Sequence, residues 1–160
     1  MEYRIGQSRD IHRLEDNNRQ LIVAGVVIPC GKGVVSHSDG DVVYHALSEA
    51  ILGALALGDL GTFYPNNDEK YHDCPSSYFV KDTVRMMIDK GYIINNVDIN
   101  VILEKPKLKK YILEMRKNIA ELLNTSIENV SLKAQTNEGC SEIGLGNAIE
   151  ATAICLLRKK

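Results

Sequence analysis

One stretch limits the possible folds more than any other. From Val97 to Glu104 apolar and polar residues alternate, with Val97, Ile99, Val101 and Leu103 on one side and Asp98, Asn100 and Glu104 on the other. A period of two belongs to a strand with one dry and one wet face. Val130, Leu132 and Ala134 repeat it, and Ile149, Ala151, Ala153, Cys155 and Leu157 repeat it near the end. The chain must therefore build a sheet.

Helices to cover that sheet are visible too. Between Asp41 and Leu57 apolar residues fall at 43, 46, 47, 50, 51, 54 and 55, a helical stripe stopped at Gly58. Ser76 or Ser77 caps a second helix, carried by Val80, Val84, Met87 and Ile88 and ended at Gly91. A third turns Ile112, Met115, Ile119 and Leu122 inward. Leu21 to Ile28, a Val/Ile-rich run closed by Pro29 and Gly31, reads as one buried strand. The expected order is strands, two helices, strand, helix, two strands. That is an α/β (α+β) chain, one domain over 1–160, with helices packed on one sheet face. A chain of 160 residues has no helices left for the other face, so oligomerisation through it is expected.

Composition narrows the function. Hydrophobic residues make up 44% and charged residues 25%, the balance of a folded domain. A net charge of −2 gives no general electrostatic reason to bind nucleic acid or an anionic membrane. The start, MEYRIGQSRD, is charged and lacks the apolar segment of a signal peptide. The longest apolar run, Ala50 to Leu57, is far below the roughly 20 residues of a spanning helix. Cys30, Cys74, Cys140 and Cys155 form no C-x-x-C pair and read as reduced thiols. A cytoplasmic location is expected, or a plastid-type organelle where a targeting segment precedes the chain.

Three of the four histidines fall early, each close to an aspartate. Asp10-Ile11-His12 is an Asp-x-His pair, whose side chains share a face in extended chain. His37-Ser38-Asp39-Gly40-Asp41 is a polar loop before the first helix, and His45 lies one turn into that helix, above Asp41. Either of His12 and His45 alone would read as an ordinary loop or helix residue. Together with Asp10 and the polar loop they read as a zinc set, three ligands with the fourth position open to substrate. His72, in the polar stretch Glu69 to Asp73, is expected to be an exposed loop residue without a role. Lys105, Lys107, Lys109 and Lys110 follow a strand, either as a solvated helix start or as a phosphate site. Thr136 and Glu138 close another strand, either as its cap or as a hydroxyl donor beside a hard oxygen ligand for Mg²⁺.

Taken in order, these residues resemble one family, the 2-C-methyl-D-erythritol 2,4-cyclodiphosphate synthases of non-mevalonate isoprenoid synthesis. The carriers are Arg4-Ile5-Gly6 with Asp10-Ile11-His12, then His37 to Asp41 with His45-Ala46-Leu47. Ala56 to Gly61, Pro65 with Asp68, Gly91-Tyr92 and Asn96-Val97-Asp98 follow, and Pro106-Lys107, Lys133-Ala134 and Thr136 with Glu138 complete the set. The resemblance covers about Arg4 to Leu157.

It implies an enzyme, a cyclising phosphorus–oxygen lyase. The 2-phosphate of a cytidine-diphosphate-linked methylerythritol attacks the β-phosphate, and CMP leaves. By resemblance Asp10, His12 and His45 hold Zn²⁺ or another divalent transition metal, Glu138 holds Mg²⁺ or Mn²⁺, and His37 and Thr136 stabilise the transition state. Asp10, Ile11, His12, His37 and Ser38 would touch substrate. Asp59, Leu60, Gly61, Tyr64, Pro65, Asn66, Asn67 and Asp68 would line the methylerythritol pocket. Leu103, Glu104, Lys105, Pro106, Lys107, Leu108 and Lys109, with Gln135, Thr136, Asn137 and Glu138, would hold the cytidine diphosphate. The family assembles as homotrimers with sites between subunits, in keeping with the uncovered sheet face. The resemblance breaks after Glu138, where Glu142 replaces an aromatic and Leu145 an arginine, so an apolar trimer centre without an anion site is expected. Two other readings use the same residues: a zinc-dependent phosphoester hydrolase, and a catalytically silent zinc- and nucleotide-binding trimer.

Overall fold

The computed structural model describes residues 2–65 and 67–160. Its framework is a five-stranded mixed sheet. Strand β1 (Tyr3–Glu15) runs beside β7 (Ala148–Lys159), which pairs in turn with β5 (Tyr92–Ile102); the short β4 (Gly33–Val34) extends the β1 edge and β6 (Val130–Gln135) the other. All these pairs are antiparallel except β5 with β6. Two registers fix the level of the functional residues. Asp10 stands opposite Ala151, which stands opposite Val101, which stands opposite Ala134. Ile11, Glu150, Ile102 and Gln135 form the next row.

The expected alternation is present. Val97, Ile99, Val101, Ile149, Ala151, Ala153, Cys155 and Leu157 are all buried beneath helices α1 (Val42–Ala54), α3 (Ser77–Asp89) and α4 (Ile112–Leu122). Two short helical turns, α2 (Leu60–Phe63) and α5 (Ser141–Gly144), lie in the connections. All seven apolar positions read as the first helical stripe are buried. The opposite sheet face carries the exposed Ile5, Ile11 and Ile154 among the ion pairs Arg9–Glu150 and Lys133–Asp98. Among the described residues no helix is long and apolar enough to cross a membrane.

Strand β1 escaped the pattern of apolar alternation because its inner face is Gly6, Ser8, Asp10, His12 and Leu14 rather than a row of large apolar residues. The close approach of α1 demands this. A Cβ on Gly6 would stand 1.9 Å from the Ala50 carbonyl oxygen, so no side chain fits. Leu21 to Ile28 is not one strand but a hairpin, β2 (Leu21–Val23) and β3 (Val26–Ile28). Ala24 and Gly25 turn it with φ of 48° and 73°, a left-handed pair that suits a two-residue hairpin loop. The buried Asp41 carboxylate fixes that turn to α1, accepting from the Ala24, Gly25, Val43 and Tyr44 amides at 2.8–3.2 Å.

Four smaller expectations are corrected. Ser76 stands at the start of α3 but makes no capping bond with its side chain, which turns elsewhere. Ile88 is 48% exposed rather than part of the inner stripe, and Ala134 is exposed at the end of β6. Of the lysine-rich segment only Lys109 and Lys110 stand at a helix start, exposed in a 3-10 turn over Lys109–Tyr111 that runs into α4 at Ile112, whereas Lys105 and Lys107 precede it around the cis Lys105–Pro106 peptide.

Candidate metal centre and its cavity

Strand β1 and helix α1 converge on one corner. Asp10 and His12 point inward from β1 because residues two apart share a face, and His45 faces them from the first turn of α1. His12 Nε2 lies 3.2 Å from His45 Nδ1, His45 Nδ1 lies 3.0 Å from Asp10 Oδ2, and His12 Nε2 lies 3.1 Å from Asp10 Oδ2. Donors on a tetrahedral zinc with bonds of about 2.0–2.1 Å stand about 3.3 Å apart. Two imidazole nitrogens and one carboxylate oxygen thus already form the triangle such an ion needs, and the residues fit zinc.

Electrostatics couple the three groups tightly. Burial alone would raise Asp10, but hydrogen bonds from His12 and His45 hold its carboxyl well below the usual carboxylate range. At His45 burial disfavours charge, yet Asp10, with Asp41 and Asp39 behind it, leaves the imidazole above its ordinary value. The outer nitrogen is held as well. With Nδ1 turned to the triangle, the His45 Nε2 proton faces Ser76 Oγ at 2.8 Å and Ser38 Oγ at 3.1 Å. Ser76 in turn donates to Asp39 from its hydroxyl and, at 3.0 Å, from its amide. A carboxylate behind the outer nitrogen of a metal-binding histidine fixes its tautomer and ring orientation. The apparent helix cap is therefore bonded to His45 and Asp39 instead.

The triangle forms one wall of a cavity of about 410 Å³. Of the expected pocket residues, the structure brings Leu60, Gly61 and Tyr64 to it, with His37 and Ser38. Asp59 instead caps α2, accepting from the Thr62 amide and hydroxyl; Asp68 caps the 3-10 turn Glu69–Tyr71; and Pro65 and Asn67 are exposed beyond the rim. Asn66 lies outside the described residues. The Ile11 side chain points to the other sheet face. Val35, Ser36, Glu49, Tyr71 and Phe79 also line the cavity and were not anticipated. Only Glu49 had a legible signal, since it lies four residues after His45 on the same helix face. Its carboxylate accepts from Ser8 Oγ at 2.5 Å and from the Leu60 amide at 3.3 Å. Tyr64 is buried among Tyr71, Tyr78 and Phe79 and donates to Asp82 at 2.5 Å. Burial, then Asp82, keeps that phenol protonated.

His72 is exposed, as expected, but it is not isolated: its ring stands edge-on to His37 at 5.0 Å between centroids. His37 Nε2 is buried without a hydrogen-bond partner among the described residues.

A second cavity, of about 350 Å³, opens at the far edge of the sheet between Leu103, Lys107, Leu108, Lys109, Gln135 and Thr136. Thr136 donates to Glu138 at 2.8 Å, and Glu104 accepts from the Asn137 amide at 3.0 Å. Lys105 is exposed beside the half-buried Pro106. Within one chain this end and the metal corner are apart. They occupy adjacent rows but lie three strand spacings from each other, about 14 Å at ~4.8 Å per strand.

Known proteins share this sequence and this fold over nearly the whole chain. The model of the YgbB family matches residues 3–158. A Brachyspira hyodysenteriae protein named 2-C-methyl-D-erythritol 2,4-cyclodiphosphate synthase is 49% identical over 156 residues, 98% of each chain. Among solved structures, IspF of Plasmodium falciparum in its CDP complex superposes with a TM-score of 0.87 at 39% identity, covering 99% of this chain and 97% of that one. The bifunctional IspDF of Campylobacter jejuni gives a TM-score of 0.94 at 35% identity; there this chain, 99% covered, spans 43% of the longer protein.

Proposed function

Because the chain belongs to the YgbB family, whose relatives are enzymes that act as phosphorus–oxygen lyases in isoprenoid synthesis, we propose that it cyclises 4-diphosphocytidyl-2-C-methyl-D-erythritol 2-phosphate. The products are 2-C-methyl-D-erythritol 2,4-cyclodiphosphate and CMP. On this reading the whole of 1–160 is one synthase domain working in the cytoplasm. The observation that carries the chemistry is the donor triangle of Asp10, His12 and His45 on the wall of a cavity that also holds His37.

The attacking group is already an anion, so the protein has no strong base to provide. Its task is positioning and neutralising charge. Zinc at the triangle and Mg²⁺ or Mn²⁺ at Glu138, when bound, screen the repulsion between phosphates and withdraw charge from the breaking bond. Leu60, Gly61 and Tyr64 form the wall against which the methylerythritol packs. His37 offers its Nε2, without a partner among the described residues, to a phosphate oxygen, and Thr136 offers its hydroxyl to the diphosphate. Lys107 and Lys109 add positive charge at the nucleotide end, where the CDP complex of the Plasmodium falciparum relative supports a cytidine diphosphate.

A reaction between a 2-phosphate and a β-phosphate needs the metal corner and the Thr136–Glu138 end together. The three strand spacings between them in one chain, about 14 Å, favour a homotrimer in which a neighbour's far edge meets each metal corner. The exposed Ile5, Ile11 and Ile154 on the open sheet face support that assembly. Offering the cytidine-diphosphate substrate with and without a chelator tests the reading. CMP with the cyclic diphosphate, lost on chelation, is expected; linear hydrolysis products would assign a hydrolase, and absence of turnover a silent binding protein.

A further inference from the structure

His37 has an anomaly that the cavity alone does not explain. Its imidazole stands in the functional cavity, yet Nε2 has no hydrogen-bond partner among the described residues. A side chain that must meet a phosphate needs a fixed position, and beside the edge-on His72 ring that position is set by the backbone. The backbone is held from outside at three successive carbonyls. Arg19 donates to the Ser36 carbonyl at 2.6 Å through one guanidinium nitrogen and to the Ser38 carbonyl through the other. Between them the His37 carbonyl accepts from the Asp73 amide at 2.9 Å.

The stem of Arg19 is itself pinned. Its amide donates to Asn17 Oδ1 at 3.1 Å, and Asn17 Nδ2 donates to the Val34 carbonyl at 3.2 Å. Gly33 allows the contact, because a Cβ there would lie 2.4 Å from the Arg19 carbonyl oxygen. Asp73 meets the same guanidinium at 3.5 Å. A planar fork with two donors can bridge two carbonyls at once, which a lysine ammonium at the end of a flexible stem does poorly.

We propose that Arg19 is the positioning residue for His37, bridging the carbonyls on either side of it and so setting where the imidazole stands in the cavity. The inference rests on the proposed role of His37 and adds to it a residue that touches neither substrate nor metal. Misplacing a reacting or stabilising group by an ångström costs up to about 10²-fold in rate. Arg19→Ala should therefore lower kcat about 10- to 100-fold with zinc content unchanged, and Arg19→Lys should recover little of it. Guanidinium added to the medium should restore part of the Arg19→Ala rate. The combined Arg19→Ala/His37→Ala variant should be no slower than His37→Ala alone, since the two act through one imidazole. Losses that multiply in the double variant would overturn the proposal. A second measurement is independent of turnover. In the zinc-loaded protein the His37 ring resonances, assigned by their loss in His37→Ala, should shift or broaden in Arg19→Ala while those of His12 and His45 stay in place. Unchanged His37 resonances would overturn the inference, and a wild-type protein that releases no CMP would instead remove the catalytic reading while the resonances still decide the role of Arg19.

Discussion

The metal corner and the far edge of the sheet are built in opposite ways. At the corner, donors from two elements already stand 3.0–3.2 Å apart, half-buried, with Ser38, Ser76 and Asp39 fixing the outer nitrogen of His45. At the far edge the chemistry-bearing groups are exposed or half-buried and satisfy one another: Thr136 donates to Glu138, and Asn100 Nδ2 donates to Gln135 at 3.0 Å. Asn100 Oδ1 is left buried without a partner among the described residues. The difference is one of completeness. A site made by a strand and the helix packed on it is finished when one chain folds, whereas on the proposed assembly a site at a sheet edge needs a neighbour to cover it.

The largest effect expected is at the finished half. Replacing His45 with Ala removes one vertex of the donor triangle and should abolish both zinc content and turnover in a protein that stays folded, because the core does not depend on metal. Full zinc retention by elemental analysis would take His45 out of the ligand set. Co-expression of His45→Ala with Glu138→Gln then breaks or confirms the comparison itself. If each site joins one chain's corner to a neighbour's far edge, random mixing leaves about a quarter of the sites with both halves intact. Recovery of activity toward that level is expected, and none would mean that both halves belong to one chain.

Glu138→Gln alone should come next, with turnover falling on the order of 10²-fold while zinc content and assembly mass stay normal. Extra Mg²⁺ should restore part of the rate; a wild-type rate at limiting Mg²⁺ would reduce Glu138 to a partner for Thr136. At the outer layer of the corner, Ser76→Ala removes the closer acceptor of the His45 Nε2 proton and should weaken zinc affinity about 10- to 100-fold, measured by competition with a chelating dye. The smallest change is expected at Glu49, whose carboxylate joins Ser8 on β1 to the Leu60 amide in the cavity wall. Glu49→Ala should raise KM about tenfold with kcat nearly unchanged, and Glu49→Gln, which can accept from one partner and donate to the other, should recover most of it. Equal losses in both variants would show that the charge matters and the tether does not.

Much of this molecule was legible beforehand where a single period governs a segment. The stripe from 43 to 55 and the alternation of β5 and β7 are buried as read, because burial on one face of a regular element leaves an imprint every two or every three to four residues. Asp10, His12 and His45 were legible for a similar reason: spacing within a strand and within a helix already faces each pair one way. The Leu21 to Ile28 hairpin was not legible, since an apolar run looks the same with or without a turn, and only the Asp41 carboxylate reaching across to the Ala24 and Gly25 amides shows the bend.

What the sequence by itself determined, then, is the kind of sheet, the helices that cover it, the candidate donor set Asp10, His12 and His45, and the family to which their order belongs. Only the tertiary structure decided what the remaining polar residues do. Arg19 and His37 are 18 positions apart in the chain, and Ser76 and His45 are 31 apart. No local period relates such residues, and neither Arg19 nor Ser76 differs by type from an ordinary loop arginine or helix-capping serine. Their roles follow from which carbonyl or imidazole the fold brings within about 3 Å, and a hydrogen bond that short-ranged exists only once strand, helix and loop have packed.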